Sequence, residues 1–183
     1  MKTLQLGPLC AALGVKPRYA RYLLEQGFIP PGVAEAPNHG THRQFGPRQA
    51  MWLAIAVMVK EAGLPARRAA EVAEYCTASL KTVSKQLGWE HAFDPQLARW
   101  KTDRQYVAEI ADGKLIRLGT DARPGMAPGE MHYFDWHRLG KPRRAVPDPR
   151  ACTLLRINLH EIARRLASAF QPWEEEHARG EHP

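Results

Sequence analysis

Lys16, Arg18, Tyr19, Arg21, Tyr22, His42, Arg43 and Arg48 fall within 33 consecutive positions of a 183-residue chain. They are the residues whose types and spacing carry a definite chemistry. A guanidinium is a planar fork of donors that matches a phosphate, or the O6/N7 edge of guanine, through two bonds at once. Lysine and tyrosine more often hold backbone phosphates. Arg18, Tyr19, Arg21 and Tyr22 crowd onto one short segment, which suits insertion into a groove. His42 and Arg43 lie on a later, separate segment and suit phosphate contact, as do Lys16 and Arg48. The partner this set implies is double-stranded DNA.

Other chemistries find less support. Cys10, Cys76 and Cys152 are odd in number and far apart, and none has a Cys or His at metal-ligand spacing. Cys10 and Cys76 fall on apolar stripes, where a free cysteine acts as a small hydrophobe. His132 and His137 are five apart on an expected strand, hence on opposite faces. Glu109, Asp112, Asp121, Asp135 and Glu161 form no close pair for acid/base work, and no nucleophile motif is present. No metal, cofactor or enzymatic activity is therefore expected.

The elements that must position the cations follow from hydrophobic spacing. Leu6, Leu9, Cys10 and Leu13 form one face of a helix, and Gly14 stops it. Val15 points back inward, and Pro17 opens a second helix to Gln26, since proline is tolerated in a first helical turn. Ala20, Leu23 and Leu24 make its buried side and leave Arg18, Tyr19, Arg21 and Tyr22 mostly outside. Two short helices around a Gly-containing turn have the layout of a helix-turn-helix, whose second helix enters the major groove. Phe28 to Phe45 is too rich in Pro and Gly for a helix. It reads as a hairpin, or wing, returning through Thr41–Phe45 with Phe45 inward.

In this order the residues resemble the winged-helix head of the MerR family of transcription regulators. The run Gly14-Val15-x-Pro17-x-x-x-Arg21-Tyr22-x-x-Glu25-x-Gly27-Phe28-Ile29-Pro30-Pro31 is followed by Gly40-x-x-Arg43-x-Phe45, a helix and Gly63-Leu64. The likeness covers roughly the first 75 residues. The chain departs from the family at Leu23-Leu24, where Tyr-Glu is usual, and in a somewhat longer wing. The same head occurs in excisionases and small phage DNA-packaging proteins. The resemblance implies a homodimer on inverted-repeat DNA, with RNA polymerase or another protein as a possible partner, and, since the family's motif uses the positions of Arg21 and Tyr22 for packing and backbone contact, it leaves Arg18 and Tyr19 best placed for base edges. Two alternatives stand beside it: a phage or mobile-element DNA-binding protein, and a protein-interaction or ligand-sensing module anchored to DNA.

Charge agrees with a basic head. Residues 1–88 carry 11 Lys+Arg against 5 Asp+Glu, whereas residues 89–183 carry 15 against 14. A basic half favours a polyanion through counterion release. No apolar run is long enough to span a membrane and no signal peptide opens the chain, so the expected place is the cytoplasm, away from membranes.

Gly46-Pro47 opens a helix to about Ala62, apolar almost all round except at Arg48 and Trp52. A further helix, Ala66 to Leu87, carries Ala69, Val72, Ala73, Cys76, Leu80, Val83 and Leu87 as its apolar stripe. Beyond it, Asp112-Gly113 between alternating runs signals a hairpin. Strands are expected at Met131–Trp136 and Thr153–Asn158, then a helix from Leu159 to Phe170 with Asn158 as its cap and Ile162, Leu166 and Phe170 on one face. The expected fold is a mainly α N-terminal winged helix-turn-helix domain with its long following helix (1–88), a small α+β dimerisation or sensing module (89–171) and a tail (172–183). Because the family's long coiled coil is absent, the dimer contact is expected from the Asp112-Gly113 hairpin, the Tyr133 strand and the last strand and helix.

Overall fold

A glycine in the left-handed region decides how the chain begins. The computed structural model describes residues 3–33, 43–87, 106–120, 132–138 and 153–170. Strand β1 (Leu4–Gln5) runs directly into helix α1 (Leu6–Leu13), whose Leu9, Cys10 and Leu13 are buried. Gly14, at φ 68°, turns the chain. Its N–H donates to the Ala11 carbonyl, and that of Val15 to the Cys10 carbonyl, each at 3.1 Å. Only three residues separate α1 from α2 (Pro17–Glu25), which buries Ala20, Leu23 and Leu24.

Strand β2 (Gln44–Phe45) buries Phe45 completely, as its alternation requires. Its partner differs from the expected hairpin. Gln44–Phe45 pairs antiparallel with Leu4–Gln5, so the return strand is tied to the start of the chain. Residues 28–33 contain no strand, and 34–42 lie outside the described residues. Two-residue strands close few hydrogen bonds, and here burial of Phe45 rather than a hairpin turn fixes the pairing.

Helix α3 (Pro47–Glu61) is buried on nearly every side, including Met51, Leu53, Ile55, Val57 and Val59. Trp52, an exception to the apolar run, is buried as well: its indole N–H finds a partner in Glu74 Oε2 at 3.1 Å. Satisfying that one polar atom lets the ring go inside. Helix α4 (Ala66–Leu87) packs on α3 through Ala69, Val72, Ala73 and Cys76. Small residues on that stripe let the two helices approach closely, so the stripe serves the core of the chain.

The second half forms a four-stranded antiparallel sheet in the order β5-β4-β3-β6, from β3 (Tyr106–Ala111), β4 (Leu115–Thr120), β5 (His132–Arg138) and β6 (Leu154–Asn158). Asp112 and Gly113 both have positive φ, 49° and 62°, which gives the twist a tight hairpin needs. Asp112 also ties the turn to the far strand, its Oδ1 accepting from the Thr153 N–H at 2.8 Å. A bulge at Leu118/Gly119 gives β5 one extra residue. His132 and His137 therefore pair with Thr120 and Ile116, two positions on a single face of β4.

Helix α5 (Leu159–Phe170) begins where β6 ends, with the Asn158 Oδ1 accepting the Glu161 N–H at 2.9 Å as an N-cap. It lies against β3 and also against α1 and α3. Ile162, Leu166 and Phe170 are buried in the same core as Leu9, Leu13 and Ile55. The apolar face of α5, expected to supply a dimer contact, is thus used within the chain. The architecture is mixed: among the described residues there are five helices, a two-stranded sheet and a four-stranded sheet, with one apolar core running through both halves.

Candidate nucleic-acid interface

The outward face of α2 follows from its inward one. With Ala20, Leu23 and Leu24 buried, the helical period turns Arg18, Arg21 and Tyr22 to the opposite side, and all three are exposed, Tyr22 at 42%. Lys16, the residue before the first turn, is exposed too. Tyr19 lies on the flank. It is half-buried against the core, with the Arg18 guanidinium 4.8 Å from its ring centre. Arg18 Nη2 also donates to the Tyr19 hydroxyl at 3.2 Å. The stack holds an otherwise flexible arginine against a ring, reducing the entropy it would lose in contacting any partner. Lys60, from the last turn of α3, stands 5.8 Å from the Tyr22 ring and adds a cation to that side of α2.

The remaining expected residues come from other elements. Arg43, just before β2, is half-buried, and its Nε is shielded from water without a hydrogen-bond partner among the described residues. A buried, unmatched donor on a charged group is costly and is relieved when an acceptor arrives. Arg48 is half-buried in the first turn of α3. His42 lies outside the described residues. Lys16, Arg18, Tyr19, Arg21 and Tyr22 thus form one contiguous set on α2, while Arg43 and Arg48 sit on the segment from β2 into α3 and share the core beneath.

Three acidic residues of the second half, Glu109, Asp112 and Glu161, are engaged in holding the fold. Glu109 is fully buried on β3 and lies between two arginines of neighbouring strands. Arg117 Nε donates to one carboxylate oxygen at 2.7 Å, and Arg156 Nε to the other at 2.8 Å. These are the direct cross-strand positions, Glu109 opposite both Arg117 and Arg156. Glu161 accepts from Arg164 and Arg165 at 2.8 Å, and their hydrogen bonds hold its carboxyl down at about 2, below the usual 4.5. Cys10 and Cys76 are buried, and burial raises both thiols above their ordinary range, Arg21 opposing the effect at Cys10. Such thiols are poor thiolates and hence poor ligands for soft metals. Cys152 lies outside the described residues.

Sequence reasoning missed the neighbourhood of Trp52. Gly27, Phe28 and Ile29, which follow α2, line a cavity of about 490 Å³ with Trp52 of α3 and Glu71, Glu74, Tyr75 and Ala78 of α4. Nothing local announces it, because its walls come from three separate segments. Set beside known proteins, the chain matches no family model and no curated protein.

Proposed function

We propose that the protein is a sequence-specific double-stranded DNA-binding regulator of the MerR-like kind, acting as a homodimer on an inverted repeat. The observation that carries this reading is the division of α2. Its inner side is buried, while Arg18, Arg21 and Tyr22 are exposed together on its outer side. The three-residue turn after α1, stopped by Gly14, supports a helix-turn-helix arrangement. A second helix with outward Arg and Tyr carries the donors that read base edges in the major groove. The orphaned Nε of Arg43 and the basic first half supply the phosphate term.

Homodimerisation belongs to the same proposal, since two copies are needed to read two half-sites. The contact then falls on a surface other than the buried face of α5. Selection of bound sequences from random duplex DNA, with stoichiometry read from the same complex, tests the whole reading. A palindromic consensus bound by two copies is expected. Equal recovery of all sequences, or binding by one copy only, would sink it.

A further inference from the structure

The cavity beside the exit of α2 combines three features that recur where small ligands bind. Its volume, about 490 Å³, lies in the range of about 300–1,000 Å³ usual for such sites. Its walls are aromatic and aliphatic, with Phe28, Trp52 and Tyr75 contributing rings. It also holds two carboxylates, and these differ in kind. Glu71 is paired with Arg67 and Arg68, so its charge is already answered. Glu74 is exposed on the open side of the site and makes no ion pair among the described residues. It is held by the Trp52 indole N–H on Oε2, a neutral donor that fixes the carboxylate without cancelling its charge.

A fixed, uncompensated carboxylate beside aromatic rings is complementary to a cation with an apolar body. The carboxylate supplies the Coulomb term. Phe28 and Tyr75, both partly exposed, supply cation–π attraction and, with the accessible edge of the largely buried Trp52, accept the hydrophobic surface. An anion would meet Glu74 unfavourably. A neutral apolar ligand would gain the rings but leave the charge unused.

We propose that this cavity binds an organic ammonium ion, its charge against Glu74 and its apolar body against Phe28, Trp52 and Tyr75. The site is independent of the DNA reading, because its walls share no residue with the outward face of α2.

Benzyltrimethylammonium is a suitable probe, with neopentylbenzene as its uncharged isostere. Calorimetric titration of the full chain, together with the Trp52 indole N–H resonance, reads binding without DNA. The expected result is saturable binding of the cation that shifts the Trp52 signal, and at least tenfold weaker binding of the isostere. Glu74→Gln keeps an acceptor for the indole and removes the charge; it should weaken the cation about tenfold and leave the isostere unchanged. Ala78→Phe, which narrows the cavity from an exposed position, should reduce both. Equal affinity for cation and isostere would overturn the proposal. So would unchanged cation binding in Glu74→Gln, or no saturable shift of Trp52 by the cation.

Discussion

Arg165 of the last helix donates from Nη1 to the backbone carbonyl of Leu13, at the end of the first helix, across 2.9 Å and 152 residues of sequence. That carbonyl belongs to the last turn of α1, whose oxygens have no partner within the helix. A guanidinium there satisfies the oxygen and places positive charge at the negative end of the helix dipole. Glu161 holds the same guanidinium from behind, through Nε at 2.8 Å. The turn leading into α2 is thereby fastened to the far end of the chain.

Arg165→Met should keep the apolar stem and lose both bonds. The expected cost is about 0.5–1.5 kcal/mol of stability in urea titration, together with faster amide exchange at Gly14 and Val15. Unchanged exchange at those two amides would show that the bond does not fasten the turn.

Acid should loosen the same clamp. The Glu161 carboxyl is lowered to about 2 by hydrogen bonds from Arg164 and Arg165. A depressed carboxyl contributes stability above its unfolded value, near 4.5, and loses that contribution as pH falls through the folded one. Its side chain is 35% exposed, so solvent screening keeps the contribution to about 1 kcal/mol or less. Glu161→Gln should therefore be less stable than the parent at about pH 6 and nearly equal to it at about pH 2. A gap that persisted in acid would mean the charge is not its source.

Glu109 poses the opposite case, a buried charge whose removal leaves two cations facing each other. Glu109→Ala should cost about 3–5 kcal/mol, since breaking a buried ion pair is far worse than replacing all its members. Changing Glu109, Arg117 and Arg156 together to apolar residues should recover most of the loss. Thermal or urea unfolding of the single and triple variants decides it. A triple variant as unstable as the single one would show that the loss does not come from leaving the two arginines unpaired.

Ile162→Asp tests where α5 spends its apolar face. Ile162 is 1% exposed within the chain. The variant should unfold, or lose several kcal/mol, at any protein concentration. Ile162→Ala, at about 2–5 kcal/mol, is the milder form. Folded monomers by sedimentation would instead return this face to a subunit interface.

On DNA, Arg18→Ala should cost about 1–3 kcal/mol and relax the preference at one position of each half-site. Arg43→Ala should weaken every sequence alike and reduce the salt slope by about one unit for each phosphate it no longer neutralises. Lys16 and Arg48 should behave as Arg43. Binding assays on selected and scrambled duplexes over a salt series distinguish these. The reverse pattern would place the reading surface elsewhere.

Much of this was legible locally. The bounds of α3, α4 and α5 follow from Pro47, Pro65 and Asn158, because caps and breakers act through their immediate neighbours. Asp112-Gly113 marks its hairpin for the same reason. What stayed hidden depends on distant partners. Phe45 signals a buried strand residue but cannot say that Leu4 lies opposite it. Ile162 and Leu166 signal an apolar face but not which helix covers it. Trp52 reads as an exception until Glu74 is known to accept its N–H. The α2 set was readable because the period of a single helix fixes its inner and outer sides; its relation to Arg43 and Arg48 depends on how β2 is held.

The position of α5 in the core sets an order of assembly. Leu9 and Leu13 belong to the first described helix, yet α5, the last described element, lies against that helix. During synthesis the helices α1 to α4 therefore emerge with part of their apolar surface uncovered until Phe170 is available. A chain released early, after α4, would expose that surface to water and to other chains. The covering surface for the start of the chain is encoded near its end, so the first half reaches its full core only once the second has been made.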